Sequence, residues 1–267
     1  MSKVITFANQ KGGVGKTTTS HIISIGLKKM GYSVLACDLD PQANLSSVFG
    51  INVDGDIVSI YELFEGECDI EDAIVNTESG VDLLVGSLML SGADRRYSAT
   101  GDEYKLKESL ESIKDKYDYI IIDTPPALGI LSLNALASTD YLVVVMTPDY
   151  FSGKGLNQLQ ETVETTKKYL QNPNLKINGM LLTRCDRTNL SSVIKDDISK
   201  VATKLDSKKF SGVYIKRGLN LTPLLIPVKF ILTIIPGAGT AINFIKGGNA
   251  TITQNDTITI YYHPEWK

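Results

Sequence analysis

Between an apolar run, Val4-Ile5-Thr6-Phe7-Ala8, and a segment of helical spacing lies the nonapeptide Gln10-Lys11-Gly12-Gly13-Val14-Gly15-Lys16-Thr17-Thr18. The apolar run reads as a short buried strand. Gly12, Gly13 and Gly15 let the backbone curl so that successive N–H groups point inward, and the positive end of the following helix faces the same point. Such a loop cradles a polyphosphate. Lys16 would reach the β- and γ-phosphate oxygens, and the Thr17 hydroxyl would take a place on Mg²⁺. A glycine-rich turn with solvent-facing lysines would not need strand, loop, lysine, hydroxyl and helix in this order.

The loop departs from the general G-x-x-x-x-G-K-[ST] pattern. Gln10 stands in the first glycine slot, and Lys11 is an extra lysine. In this deviant Walker A form, residues 11 to 17 match K-G-G-x-G-K-[ST], and the chain resembles the ParA/MinD family of ATPases. The resemblance implies that ATP and Mg²⁺ are the cofactors and that Lys11, Gly12, Gly13, Val14, Gly15, Lys16, Thr17 and Thr18 surround the nucleotide. It also implies that Lys11 reaches across a homodimer to the phosphates of the other subunit, so that Lys11 and Lys16 both serve catalysis.

Two further segments carry carboxylates to the same place. Ser33 to Cys37 reads as a second strand delivering Asp38-Leu39-Asp40-Pro41-Gln42-Ala43-Asn44 to the carboxyl end of the sheet, where open α/β sheets bind ligands. Carboxylates beside a polyphosphate repel it unless a cation, or a water needing a base, lies between them. The D-x-D-P-Q-x-N run matches the family's switch I, which implies that Asp40 positions or activates the attacking water and borders the metal, with Asp38 supporting the loop and the metal's water shell. Tyr119-Ile120-Ile121-Ile122-Asp123 is an apolar strand ending in a carboxylate, the arrangement that places Asp123 in a Mg²⁺ shell. Thr124-Pro125-Pro126 then resembles switch II, ahead of a helix from Leu128 to Ala137.

The remaining elements follow the same alternation. Thr18 to Gly31 is the helix carrying the phosphate loop, with Ile23, Leu27 and Met30 on one face and Gly31 ending it. Residues 51 to 118 offer a strand at Val81 to Val85 and a helix near Glu103 to Lys116, with Arg95-Arg96 exposed or anchoring a helix. Later come strands at Tyr141 to Met146 and Asn178 to Thr183, and helices at Ser152 to Gln171 and Leu190 to Leu205. The order predicts an α/β fold: a doubly wound, mostly parallel sheet with helices on both faces. Asp186 and Arg187 resemble the segment near the adenine and the dimer interface. Lys216-Arg217 resembles the family's basic, DNA-contacting turn.

The resemblance covers about residues 1 to 222, taken as the ATPase domain. Residues 223 to 267 form a divergent tail, in which Thr and Ile alternate around Gln254-Asn255-Asp256 as in a β-hairpin. The Leu221 to Ile235 stretch is interrupted by Pro223, Pro227 and Lys229 and is too short to span a bilayer. No signal peptide is legible at the N-terminus. Cys37, Cys68 and Cys185 have no C-x-x-C spacing, which argues against a disulfide framework or a zinc site and for buried thiols in a reducing cytoplasm.

The formal charge of −3 conceals a division. Residues 1 to 150 carry 11 Lys and Arg against 22 Asp and Glu, and residues 151 to 267 carry 16 against 8. A late basic surface suits a polyanion. The ParA branch of the family implies an ATP-sandwich homodimer that binds DNA without sequence preference, works with a ParB-like centromere-binding partner in plasmid or chromosome partition, and is cytoplasmic and nucleoid-associated. The alternative is a MinD-like membrane-surface switch. That reading calls for a basic amphipathic C-terminal helix, where this tail has prolines, glycines and a hairpin pattern. The family's iron–sulfur members need cysteines near switch II, and residues 124 to 139 contain none.

Overall fold

A computed structural model describes residues 2–147, 161–168, 170, 172–183, 212–215 and 259–260. Its strands are β1 (Lys3–Ala8), β2 (Val34–Asp38), β3 (Ile74–Asn76), β4 (Asp82–Leu84), β5 (Tyr119–Asp123), β6 (Tyr141–Met146), β7 (Ile177–Thr183), β8 (Gly212–Ile215) and β9 (Thr259–Ile260). They form one sheet in the order β3-β4-β2-β5-β1-β6-β7-β8-β9. Every pairing is parallel except β3 with β4. The α-helices are α1 (Lys16–Lys29), α2 (Asn44–Val48), α3 (Ile60–Glu65), α4 (Ala93–Arg96), α5 (Lys105–Glu111) and α6 (Ile130–Ser138), and residues 161–168 are also helical.

A parallel sheet covered on both faces needs strands that are apolar throughout, and β2 and β5 are buried at every position. Their side chains alternate between two cores. Ile5, Phe7, Val34, Ala36, Tyr119 and Ile121 meet Ile23 and Leu27 of α1 on one face. Val4, Leu35, Cys37, Ile120 and Ile122 meet Ile60, Phe64, Leu106, Leu110 and Leu131 on the other. The doubly wound sheet expected from the sequence is therefore present. Because β5 inserts between β1 and β2, the strand order reverses beside β1, and this is where such sheets open a ligand crevice.

Helix α1 ends as its sequence suggests. Gly31 takes a positive φ of 93°, its N–H donates to Lys28 O, and the N–H of Tyr32 donates to Leu27 O, the paired bonds that close a helix on a left-handed glycine. Met30, placed by its spacing on the apolar face, is 38% exposed because it is already the capping residue. The helix expected near Glu103 to Lys116 is divided. A 3₁₀ turn at Asp102–Tyr104 precedes α5 and another at Lys114–Lys116 follows it, while Leu106, Leu110 and Ile113 stay buried. Helix α3 was not read from the sequence, although Ser59 and Glu62 form a reciprocal capping box at its start and Gly66 closes it in the left-handed conformation.

Arg96 anchors as expected, reaching Glu65 at 3.1 Å and the Tyr61 hydroxyl at 2.8 Å. Cys37 is buried and Cys68 half-buried. The expected helix at Leu190 to Leu205, Cys185 and most of the tail lie outside the described residues. From the tail, β9 pairs in parallel with β8 at the sheet edge, and the other limb of the expected hairpin lies outside those residues.

Candidate nucleotide site

Strand β1 ends at Ala8 and α1 begins at Lys16, so the glycine-rich segment forms the whole connection between them. Gly13 (φ 70°) and Gly15 (φ 98°) occupy the left-handed region that other residues avoid. Gly15 is the N-cap of α1, no side chain caps that end, and the first turn carries no acid. Its backbone donors and positive dipole end are left for an anion.

The loop is braced against β6 and β7. Asn9 Nδ2 donates to Val145 O at 2.6 Å, and Asn9 Oδ1 accepts from Lys11 N at 3.0 Å. From the end of β7, Thr183 Oγ1 donates to Val14 O at 2.5 Å and lies 3.2 Å from Met146 O. Val14 is wholly buried beneath the loop. Lys16 is 7% exposed, and its Nζ donates to Lys11 O at 3.4 Å. Burial holds the Lys16 pKa below its ordinary value, against the opposing pull of Asp123 and Asp40.

The register of the sheet brings the carboxylates together. Asp38 stands opposite Asp123 at the ends of β2 and β5. Asp123 is wholly buried, and its pKa is pushed up to about 7, first by burial and then by Asp38. Hydrogen bonds from the Thr17 and Ser20 hydroxyls oppose that rise, as does the Lys16 charge. Ser20 Oγ lies 3.0 Å from Asp123 Oδ1, whereas Asp123 Oδ2 is buried with no hydrogen-bond partner among the described residues.

Asp38 serves the scaffold. Its Oδ2 accepts from both N and Oγ of Ser46 at 2.8 Å, and burial pushes its pKa up to about 6. Asp40 is 8% exposed, and its Oδ1 accepts from Gln42 N at 3.0 Å. Thr124 Oγ1 donates to Phe7 O at 2.8 Å, pinning the start of the Thr-Pro-Pro loop to β1.

An orphaned carboxylate oxygen beside a threonine hydroxyl fits Mg²⁺, which takes one or two protein ligands and fills its shell with phosphate oxygens and water. Among the described residues no group of three or more His, Cys, Asp or Glu could by itself enclose a metal, which agrees with that sparse pattern. The structure thus gathers Lys11, Gly12, Gly13, Val14, Gly15, Lys16, Thr17, Thr18, Asp40 and Asp123 at the carboxyl edge of β1, β2 and β5. Asp186, Arg187, Lys216 and Arg217 lie outside the described residues. Asn9, Ser20 and Thr183 were not anticipated. Ser20 could have been found one helical turn after Lys16 on the face turned to β5, whereas no local signal marks Thr183.

Comparison with known proteins gives a consistent relationship. Residues 2–177 match the AAA domain family. The sporulation initiation inhibitor protein Soj of Bacillus subtilis is 40% identical over 203 residues, covering 75% of this chain and 80% of Soj. Among solved structures, a plasmid partition protein from Borrelia burgdorferi superposes with a TM-score of 0.73 at 28% identity, covering 88% of this chain and 99% of that one. Cobyrinic acid a,c-diamide synthase from Mycobacterium smegmatis, with bound ATP analog and magnesium, superposes with a TM-score of 0.71 at 36% identity, covering 75% and 82%. Among the described residues no helix is long and apolar enough to cross a membrane.

Proposed function

Because this chain belongs to the ParA/MinD family of ATPases, on its ParA branch, we propose that it is a partitioning ATPase that binds ATP with Mg²⁺, dimerises around two nucleotides, binds DNA without sequence preference in that state, and is released on hydrolysis. A ParB-like centromere-binding protein would stimulate turnover, and the ATP-bound form would reside on the nucleoid. The observation that carries the reading is that Lys16 and Asp123 are both buried and act on each other's charge at the start of α1, where no described side chain caps the helix and Asp123 Oδ2 has no hydrogen-bond partner among the described residues.

Phosphoryl transfer asks a protein mainly to position groups and neutralise charge. Backbone N–H groups of residues 12 to 17 bind the polyphosphate, and Lys16 adds a cation whose burial strengthens its attraction to phosphate. Thr17 and Asp123 would hold Mg²⁺, which when bound would offset charge on the β- and γ-phosphates. Asp40, fixed by the amide of Gln42, orients the attacking water. Lys11 of a second copy completes the site, so an isolated subunit turns over slowly. Asp186 and Arg187 would contact the adenine side, and Lys216 and Arg217 the DNA backbone.

Equilibrium binding of a fluorescent ATP analogue tests the nucleotide site. Lys16→Ala should lose binding, because the phosphates lose their principal buried cation. Affinity equal to wild type would refute the assignment. Co-sedimentation with anionic liposomes in ATP, without any shift of duplex DNA, would favour the membrane-surface alternative.

A further inference from the structure

Residues 86 to 96 run from the Asp38–Ser46 contact to the start of α6. At the start of this strap, Gly86 N–H donates to Ser46 Oγ at 2.9 Å. A Cβ on Gly86 would lie 2.8 Å from Asp38 Cγ, so the strap runs directly against the carboxylate that holds α2. At its far end, on α4, Asp94 Oδ1 accepts a 2.7 Å hydrogen bond from Ile130 N, the first amide of α6. Helix α6 has no cap of its own: Gly129 is the N-cap, no side-chain cap bond is made, and the first turn holds no acid. Asp94 therefore caps α6 from outside, satisfying a free amide and placing negative charge at the positive end of the helix.

A second tie runs beside it. Asn134 of α6 is wholly buried, accepts from Leu106 N at 3.0 Å and donates to Asp102 O at 2.9 Å. We propose that Asp94 is a positioning residue for the Asp123-Thr124-Pro125-Pro126 loop, fixing the start of α6 and coupling it through the strap to the Asp38–Ser46 side of the site. The catalytic consequence rests on the ATPase reading; the capping itself does not.

Gly129 supplies an independent handle. Its backbone (φ −100°, ψ −166°) is one that any residue adopts, yet a Cβ there would overlap the Asp94 carboxylate, 2.7 Å from its Cγ. Gly129→Ala should thus displace Asp94 and reproduce the loss of the cap. Amide hydrogen exchange of the nucleotide-free protein reads this directly. Asp94→Ala should raise exchange at Ile130 about fivefold, the factor matching a cap of roughly 1 kcal/mol. Asp94→Asn, which keeps the accepting oxygen, should restore most of the protection. Gly129→Ala should match Asp94→Ala, and the double variant should add nothing, as for residues acting through one contact.

In parallel, kcat for ATP should fall several-fold in Asp94→Ala with the ATP Kd unchanged, the split that separates positioning from binding. Unchanged exchange at Ile130 in Asp94→Ala would overturn the capping, and additive effects in the double variant would overturn the shared contact. Lost protection with wild-type kcat would overturn the positioning role. Absence of hydrolysis by the wild type would overturn the ATPase reading instead, and exchange at Ile130 would still decide whether Asp94 holds α6.

Discussion

Ser20 Oγ donates a 3.0 Å hydrogen bond to Asp123 Oδ1, and the second oxygen of that wholly buried carboxylate has no partner. An unpaired buried acceptor costs about 1–3 kcal/mol, a cost that a cation bound at this oxygen, as proposed above, would offset. Ser20 Oγ also lies 3.1 Å from Lys16 O, so the carboxylate is tied to the first turns of α1 through its other oxygen.

Asp123→Asn should accordingly separate stability from metal dependence. Without nucleotide, the variant should melt no lower than wild type, because a group that burial already disfavours as an anion is replaced by a neutral one of the same shape. With a non-hydrolysable ATP analogue, wild type should gain melting temperature on adding Mg²⁺ and the variant should gain little. Thermal shift measurements with and without the cation check both arms, and an equal Mg²⁺ response in the two proteins would remove Asp123 from the metal shell.

Asp40→Ala should bind ATP and dimerise while turnover collapses, since the residue lies beside the site without bracing the loop. Its side chain makes one local bond, to Gln42 N, whereas Asp38 makes the bonds that hold α2. Size-exclusion chromatography with ATP should show a trapped dimer. A variant that stays monomeric would make Asp40 structural.

Gly12→Val should fold and bind nucleotide but fail to dimerise. Among the described residues a Cβ at Gly12 meets nothing within 4 Å, and the residue is exposed, so the obstruction should fall on a second copy approaching the loop. Analytical ultracentrifugation with ATP tests this, and an ATP-dependent dimer of the variant would contradict it.

Lys216→Glu combined with Arg217→Glu should abolish the ATP-dependent shift of arbitrary duplex DNA while basal hydrolysis survives. Residues 195 to 217 carry Lys195, Lys200, Lys204, Lys208, Lys209, Lys216 and Arg217 against Asp196, Asp197 and Asp206, a local basic surplus in an acidic chain. Each phosphate contact adds roughly 0.9 to the slope of log affinity against log salt, and a dimer doubles the contacts. Retention of wild-type affinity and salt slope by the double variant would move the DNA surface elsewhere.

The phosphate loop, the strands that flank it and the carboxylates at strand ends were legible in the linear chain because each is a property of contiguous residues. A strand, a glycine-rich curl and a helix start follow one another from Val4 to Thr18, and the short apolar run Tyr119 to Asp123, read as a strand, is one buried at every position. The reading of Asp38 as a support for its loop came with the resemblance to switch I, and the two bonds from Ser46 tie its carboxylate to α2. The segment around α5 is divided by 3₁₀ turns at both ends although Leu106, Leu110 and Ile113 keep helical spacing and are all buried, so the apolar spacing marked the core face and not the helix bounds.

What only the folded molecule decided is the set of groups that meet across the sheet. Placing β5 between β1 and β2 brings Asp123 opposite Asp38. Thr183 reaches Val14 across 169 residues of chain, Ser20 reaches Asp123 across 103, and Asp94 finds the bare end of α6 across 36. None of these partners is encoded by spacing, because parallel strands pair through long crossovers whose order no local pattern specifies. The linear chain determined which groups form the loop proposed to bind phosphate, and the order and register of the strands determined which groups hold that loop in place.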